Sequence, residues 1–108
     1  MINYDEFSKM DLRVGRFVTV EPVVGSEKLY REVVDFGATI GERQILSGIQ
    51  KSYSPQDLVG KLGIFIVNLE PRQIMGFESQ GMLLAVDGPN RPILLTTMEE
   101  IEPGAKVR

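Results

Sequence analysis

Alternation of apolar and polar residues predicts three strands in the first half of the chain. The first strand follows Asp11, and Gly15 within it indicates a bulge or a sharp bend. The second strand spans residues 29–36 and the third spans residues 42–49, with a five-residue connection between them. The apolar residues expected on one face of the first strand are Leu12, Val14, Val18 and Val20.

A continuous apolar run from Leu62 to Val67 predicts a central strand that is buried on both faces. A turn at residues 68–71 follows, and after it comes a polar passage from Arg72 to Gln80. Gly81 then begins a second apolar run, which ends at Val86. Because the polar passage lies between two buried strands and has no core to fill, we expect functional residues there.

Two short helices are indicated by their capping residues. Asn3 with Glu6 begins a helix before the first strand, and Ser54 with Asp57 begins another between the third and fourth strands. A helix in the second position is typical of a five-stranded Greek-key barrel, the OB-fold. We therefore predict an all-β OB-fold barrel with a C-terminal extension after Val86, forming one domain over residues 1–108.

The composition narrows the possible functions. Fifteen acidic and twelve basic residues give a net charge of −3, so nucleic acid could be bound only through a local basic cluster. The absence of histidine and cysteine removes imidazole catalysis, thiolate nucleophiles and the usual zinc ligands. No carboxylate pair or phosphate-binding glycine motif takes their place. We expect no catalytic residue, no metal and no cofactor.

The chain has no apolar run of membrane-spanning length and no basic leader at its start. This pattern predicts a cytoplasmic protein without a membrane partner.

Several short motifs occur in a characteristic order and spacing. In chain order they are DLRVG at 11–15, KLY at 28–30, RQILSGI at 43–49, YSP at 53–55, LVG at 58–60, NL at 68–69, PR at 71–72, MG at 75–76 and SQGML at 79–83. In these stretches the chain resembles the tRNA-binding domain found at the C-terminus of bacterial methionyl-tRNA synthetases and as stand-alone or subunit proteins. The resemblance implies an OB barrel, usually dimeric, that binds tRNA largely by shape at the outer corner of the L.

Two residues depart from the family pattern. Glu70 occupies a position where the family usually has lysine, and Gln73 a position that is often basic. Both changes are expected to weaken a phosphate-facing rim. A related branch, the CsaA-like export chaperones, is similar at residues 35–37 and 40–41 but lacks the Ser-Gln-Gly-Met run at 79–82. The retained run favours the tRNA-binding branch.

The candidate nucleic-acid-binding residues form two groups. Cations at strand edges can meet phosphates, while Ser, Gln and Met side chains can meet ribose and bases. As alternatives, the cations are ordinary solvated surface, the Ser and Gln residues satisfy backbone groups at a strand entry, and the Met packs in the core. The candidates are Lys28, Arg31, Arg43, Arg72, Ser79, Gln80 and Met82.

We therefore expect a non-catalytic module whose partners are tRNA and an aminoacyl-tRNA synthetase. A chaperone module that binds polypeptide on the same face is the alternative, and an oligomerisation domain with a decayed nucleic-acid surface is a third possibility. Apolar residues after Val86 predict a homodimer interface in the C-terminal third, unless this tail folds over its own barrel. These residues are Ile93, Leu94, Leu95, Met98, Ile101 and Val107.

Overall fold

A computed structural model describes all residues from Met1 to Arg108. Its helices are α1 (Tyr4–Ser8), α2 (Gly37–Ile40) and α3 (Pro55–Leu58). Its strands are β1 (Leu12–Pro22), β2 (Tyr30–Asp35), β3 (Glu42–Ser47), β4 (Leu62–Ile66), β5 (Arg72–Ile74), β6 (Phe77–Ser79), β7 (Met82–Leu83), β8 (Ala85–Asp87), β9 (Pro92–Leu94) and β10 (Lys106–Val107).

Five antiparallel strands, in the order β3-β2-β1-β4-β7, curl into a nearly closed barrel. The predicted fold class, an all-β five-stranded barrel of the OB type, is confirmed. The connection between β2 and β3 forms the short helix α2, where the sequence predicted only a five-residue hairpin connection. Strand β4 is buried at all five positions, as expected for a central strand.

Strand β1 buries different residues from those predicted. The pairing between β1 and β2 shifts register between Phe17 and Thr19, which places a bulge at this point. Phe17 is therefore in the core, whereas Val18 is 39% exposed. The prediction that Val18 shares the buried face with Val14 and Val20 was wrong, because the extra residue at the bulge reverses the alternation.

Gly15 allows close packing inside the barrel. A Cβ atom at this position would lie 2.5 Å from Val34 Cγ1 and 2.7 Å from Phe36 Cε1. The ring of Phe65 packs edge-on against Phe36, with centroids 5.2 Å apart. The core therefore requires a residue without a side chain at position 15, and the bulge itself lies a few residues later.

Both predicted helix starts are present. The Asn3 side chain accepts a hydrogen bond from the Glu6 amide at 2.9 Å, and the Ser54 amide donates to Asp57 Oδ2 at 2.9 Å. Hydrogen bonds from the Ser54 backbone and side chain lower the pKa of Asp57. None of the three helices is long and apolar enough to cross a membrane.

The C-terminal tail folds back onto the barrel. Strand β9 pairs with β8, and β10 pairs with the start of β1. The Tyr53 hydroxyl donates to the Pro92 carbonyl at 3.0 Å, fixing the β8–β9 hairpin to the residues before α3. Leu94 and Leu95 pack against buried core residues. Part of the tail therefore covers its own barrel, which was the alternative to a dimer interface.

Candidate nucleic-acid interface

The polar passage between β4 and β7 forms a β-hairpin. Strands β5 and β6 pair with Arg72 opposite Ser79 and Ile74 opposite Phe77. Met75 and Gly76 form the two-residue turn, with φ of 49° and 84°. Positive φ at both turn residues is typical of a type I′ hairpin turn. The sequence did not predict this hairpin, because methionine rarely adopts positive φ, although Gly76 is compatible with a hairpin turn.

Ser79 and Gln80 join this hairpin to strand β3. The Ser79 hydroxyl accepts from the Leu46 amide at 3.0 Å and donates to the Gly81 carbonyl at 3.1 Å. The side-chain oxygen of Gln80 accepts from the Gln44 amide at 2.9 Å, and the Gln80 amide donates to the Gln44 carbonyl at 2.8 Å. We call this contact between β3 and residues 78–81 the seam.

The seam provides structural partners for the Ser79 hydroxyl and for the Gln80 side-chain oxygen, whereas the Gln80 side-chain nitrogen makes no hydrogen bond within the protein. Ser79 is only 5% exposed, and its hydroxyl already has partners on both sides. These bonds match the alternative in which Ser79 and Gln80 satisfy backbone groups at a strand entry. A direct role of either residue in ligand binding stays a prediction.

Arg43 and Arg31 lie beside the seam and have partners within the protein. The Arg43 guanidinium donates to the Val67 carbonyl at 2.5 Å and to the Gln80 carbonyl at 3.4 Å. Arg31 forms an ion pair with Glu21 at 2.8 Å, and its guanidinium lies 5.2 Å from the centre of the Phe77 ring. Both arginines therefore help to hold the hairpin against the barrel.

Lys28 and Arg72, in contrast, are exposed, and neither side chain makes an ion pair or hydrogen bond. Arg72 is on the hairpin, and Lys28 is in the β1–β2 loop. The tip of the hairpin approaches that loop, since the Met75 methyl lies 3.9 Å from where a Cβ of Gly25 would be. The loop, the hairpin and the seam thus form one continuous face, which we call the hairpin face.

A small concavity of about 50 Å³ opens on the hairpin face between the hairpin and β7. Its apolar lining comes from Leu46, Leu69, Ile74 and Met82, and its charged lining from Glu70 and Arg72. Met82 is 44% exposed, so it offers an apolar surface to solvent and is not a core residue. The structure therefore brings six of the seven candidate residues together on or around the hairpin, with Arg72 and Met82 the most accessible. The seventh, Lys28, is exposed in the neighbouring β1–β2 loop.

A buried carboxyl group, Glu32, was not identified from the sequence. Its side chain is fully buried between β2 and β3, with Oε1 accepting a hydrogen bond from the Ser47 hydroxyl at 2.9 Å and Oε2 without a partner. Burial raises the pKa of Glu32 to about 8, although the bond from Ser47 lowers it. Its position between Tyr30 and Val34 was the available signal, since both neighbours in the alternation are apolar.

A larger groove, of about 810 Å³, lies between β1, α2 and residues 100–105. Both of its arginines are engaged: Arg16 with Glu100, and Arg13 with Asp11 at 2.6 Å. The hydrogen bond from Arg13 lowers the pKa of Asp11. Because this groove has no unpaired arginine and is also lined by the acidic residue Glu102, the hairpin face is the better candidate for binding an anionic polymer.

The sequence matches the model of a family described as "Putative tRNA binding domain" over residues 12–106. It is 49% identical over 107 residues to a methionine–tRNA ligase of Methanocella arvoryzae, covering 99% of this chain and 15% of that protein. It is 48% identical over 106 residues to the corresponding ligase of Thermotoga maritima, covering 98% of this chain and 16% of that protein. The chain therefore spans less than a fifth of the length of these curated relatives.

Two solved structures resemble the fold closely. A MetRS-related protein from Pyrococcus horikoshii superposes with a TM-score of 0.92 at 38% identity, covering 100% of this chain and 98% of that one. A CsaA chaperone protein from Picrophilus torridus superposes with a TM-score of 0.93 at 34% identity, covering 100% of both chains.

Proposed function

This chain belongs to the tRNA-binding domain family, and we propose that it is a non-catalytic module that binds tRNA through the hairpin face. The observation that supports this most directly is the extent of the family match. Residues 12–106 include the β1–β2 loop, the seam, the hairpin and the concavity, so every candidate residue lies within the matched region.

The proposed mode of binding is recognition largely by shape. Lys28 and Arg72 are placed to meet phosphates, because neither has an acidic partner in the protein. Arg31 can join them if a phosphate replaces Glu21 as its partner. Met82 provides a polarizable surface against which a base or ribose can pack. Arg43 and Ser79 act indirectly, by holding the hairpin in position.

We further propose that the module serves a methionyl-tRNA synthetase in the cytoplasm, as an accessory domain or as a separate protein. The relatives that support this proposal are much longer ligases, of which the chain matches a small part. A tethered or associated tRNA-binding module raises the local concentration of tRNA near the catalytic site. The chain itself would contribute binding and no chemistry.

The proposed assembly is a homodimer formed through the outer side of the β8–β9 hairpin. Val86 and Ile93 are opposite each other in that hairpin and are 51% and 47% exposed. Met98 and Ile101 add exposed apolar surface in the same tail. A two-fold arrangement would cover these residues and present two hairpin faces to one tRNA.

Light scattering at micromolar concentration tests the dimer. The wild-type chain should have the mass of two copies, and Val86→Asp with Ile93→Asp should shift it to one. Val24→Asp is the control, because Val24 is 97% exposed in the β1–β2 loop and far from the tail in sequence. A wild-type mass of one copy would contradict the dimer.

Titration of labelled tRNA at several salt concentrations tests the main proposal. With two or three phosphates neutralised, log affinity should fall against log salt with a slope of roughly −2, at about −0.7 to −0.9 per phosphate. Lys28→Ala with Arg72→Ala should weaken binding and flatten the slope, whereas the exposed Lys61→Ala should leave both unchanged. Affinity that does not respond to salt would contradict the proposal.

A second candidate function is binding of polypeptide to the same face, as a chaperone. It is favoured by the similarity to the CsaA chaperone structure and by three exposed apolar side chains near the concavity, Leu69, Met75 and Met82. RNase treatment of material that co-purifies with the protein separates the two functions. Loss of that material on RNase treatment supports tRNA, and its persistence supports polypeptide.

A further inference from the structure

The concavity on the hairpin face has two charged side chains of opposite sign in its lining. Glu70 and Arg72 both line it, yet they form no ion pair with each other and neither has another charged partner. A carboxylate and a guanidinium that border one concavity normally gain by pairing. Here both remain available to a ligand, so the ligand that fits best offers donors to one and acceptors to the other.

The remaining lining is apolar and suits the flat face of a base. Leu69 and Met82 are 41% and 44% exposed, and Ile74 and Leu46 complete the lining. A volume of about 50 Å³ is too small to enclose a nucleobase. A base would instead lie across the mouth, over Leu69 and Met82, with its edges directed toward the two charges.

We propose that this concavity selects an unstacked guanine of the bound RNA, with Glu70 and Arg72 as the specificity-determining residues. This inference rests on the proposed RNA-binding function. Guanine presents two adjacent N–H donors, at N1 and N2, that suit a carboxylate, and two acceptors, O6 and N7, that suit an arginine. Adenine, cytosine and uracil each offer a carboxylate at most one donor group, beside an acceptor.

Binding of guanine would give Glu70 a role beyond the electrostatic effect of its negative charge. On electrostatics alone, a carboxylate on an RNA-binding face only repels phosphate and lowers affinity for every sequence. If the Glu70 carboxylate binds guanine, it still lowers the affinity for RNA of any sequence, but it raises the discrimination between guanine and the other bases. These two effects have opposite signs when Glu70 is replaced, and this difference makes the proposal testable.

The test uses uridine nonamers with one central variable nucleotide, titrated by fluorescence anisotropy. The guanine probe should bind about tenfold more tightly than the adenine, cytosine or all-uridine probes. Inosine, which lacks the N2 amino group, should bind with intermediate affinity. Glu70→Gln should reduce the preference for guanine severalfold while slightly increasing affinity for the all-uridine probe.

Two further variants make the assignment specific. The wild-type protein should bind a 7-deazaguanine probe less tightly than the guanine probe, because 7-deazaguanine lacks the N7 acceptor. Arg72→Ala should weaken binding of all probes and remove this difference. Glu78→Gln is the matched control, because Glu78 is exposed on the same hairpin but does not line the concavity. It should strengthen binding of all probes equally and leave the guanine preference intact.

The outcomes separate this inference from the function on which it rests. Equal binding of all four bases, with tRNA still bound, would overturn guanine selection and leave the proposed function in place. The same holds if Glu70→Gln and Glu78→Gln have identical effects. Failure to bind tRNA, or displacement of every probe by unfolded polypeptide alone, would overturn the proposed function and this inference with it.

Discussion

Two contacts join the β1–β2–β3 part of the barrel to the strands that follow it, one mainly through backbone pairing and the other mainly through side chains. Strands β1 and β4 meet through five consecutive backbone pairs, from Leu12 opposite Ile66 to Arg16 opposite Leu62. At the seam, β3 and residues 78–81 are not paired as strands. They meet through the Ser79 hydroxyl, the Gln80 and Gln44 side chains and one backbone hydrogen bond. We call the first contact the wall.

The difference bears on how polar residues in a small barrel are interpreted. At the wall, backbone pairing leaves side chains free to form an apolar core, as at Val14 and Ile64. At the seam, side chains add to a single backbone hydrogen bond, from the Gln80 amide to the Gln44 carbonyl, so polar side chains hold the structure together. In the proposed function, contacts with the ligand therefore fall mainly to residues without structural partners, chiefly Lys28 and Arg72.

Glu32 belongs to neither contact, yet it should have the largest effect on stability, because it is an ionisable group buried between β2 and β3. Its pKa is raised from 4.5 to about 8 in the folded chain. The folded state therefore holds a proton that the unfolded state releases, and stability should fall as pH rises from about 5 to 8. At about 1.4 kcal/mol per pH unit, the decrease amounts to about 4 kcal/mol.

Urea unfolding at several pH values measures this decrease. Glu32→Gln should remove most of the pH dependence, since an uncharged amide can still bond to Ser47, and should be more stable than wild type at pH 8. Glu42→Gln is the control at an exposed carboxyl group. A wild-type stability that stays constant from pH 5 to 8 would show that Glu32 is not neutral inside the barrel.

Gly15→Ala should give the next largest effect, at the wall. The new methyl group would lie 2.5 Å from Val34 Cγ1 and 2.7 Å from Phe36 Cε1, and both side chains are fully buried. Overpacking of this kind costs about 2–3 kcal/mol. Gly48→Ala provides a matched control, because no atom lies within 4 Å of its Cβ position. Equal stability of the two variants would show that Val34 and Phe36 can move to accommodate a methyl group at position 15.

Ser79→Ala should break the seam. It removes the acceptor of the buried Leu46 amide, and an unsatisfied buried amide costs about 1–3 kcal/mol. Thermal unfolding should detect the loss, and Gln73→Ala, at an exposed hairpin position, should be close to neutral. If Ser79→Ala lowers RNA affinity without any loss of stability, the hydroxyl is a ligand-binding group and the comparison fails.

Arg72→Ala should give the smallest change in stability, within about 0.5 kcal/mol, because the side chain has no partner in the protein. Its effect should appear in tRNA affinity, at up to about 1 kcal/mol for an exposed charge contact. Arg72→Lys keeps the charge and should recover part of that affinity. Destabilisation by Arg72→Ala as large as that of Ser79→Ala would place Arg72 in the seam.

Much of the fold could be predicted because it depends on local patterns. The capping pairs Asn3 with Glu6 and Ser54 with Asp57 are each three residues apart, and the uninterrupted apolar run of β4 marks a central strand. The bulge at Phe17 could not be predicted in this way. A pattern of alternating residues does not show where one extra residue is inserted, and the glycine at position 15 predicted a bulge a few residues too early.

The sequence predicts functional residues in the polar passage from 72 to 80, and the structure shows that this passage forms a hairpin. That the hairpin binds a ligand stays a prediction, and the structural roles of its residues could not be predicted. Ser79 and Gln80 nevertheless bond to Leu46 and Gln44, which are distant in sequence, and no local pattern reveals such partners. The burial of Glu32 is different, since the apolar residues two positions away on either side, Tyr30 and Val34, indicate it locally. Only the closed barrel shows that its Oε2 atom has no partner.

The seam also has a consequence for the order in which the chain folds. It joins residues 33 to 36 positions apart, across α3 and β4, whereas β2 and β3 are joined by a short connection. Forming distant contacts requires a larger loss of chain entropy, so the β1–β2–β3 meander is expected to form early and the seam late. Weakening the seam should then accelerate unfolding while leaving the folding rate nearly unchanged. The hairpin face would be the last part of the surface to be assembled and the first to be lost.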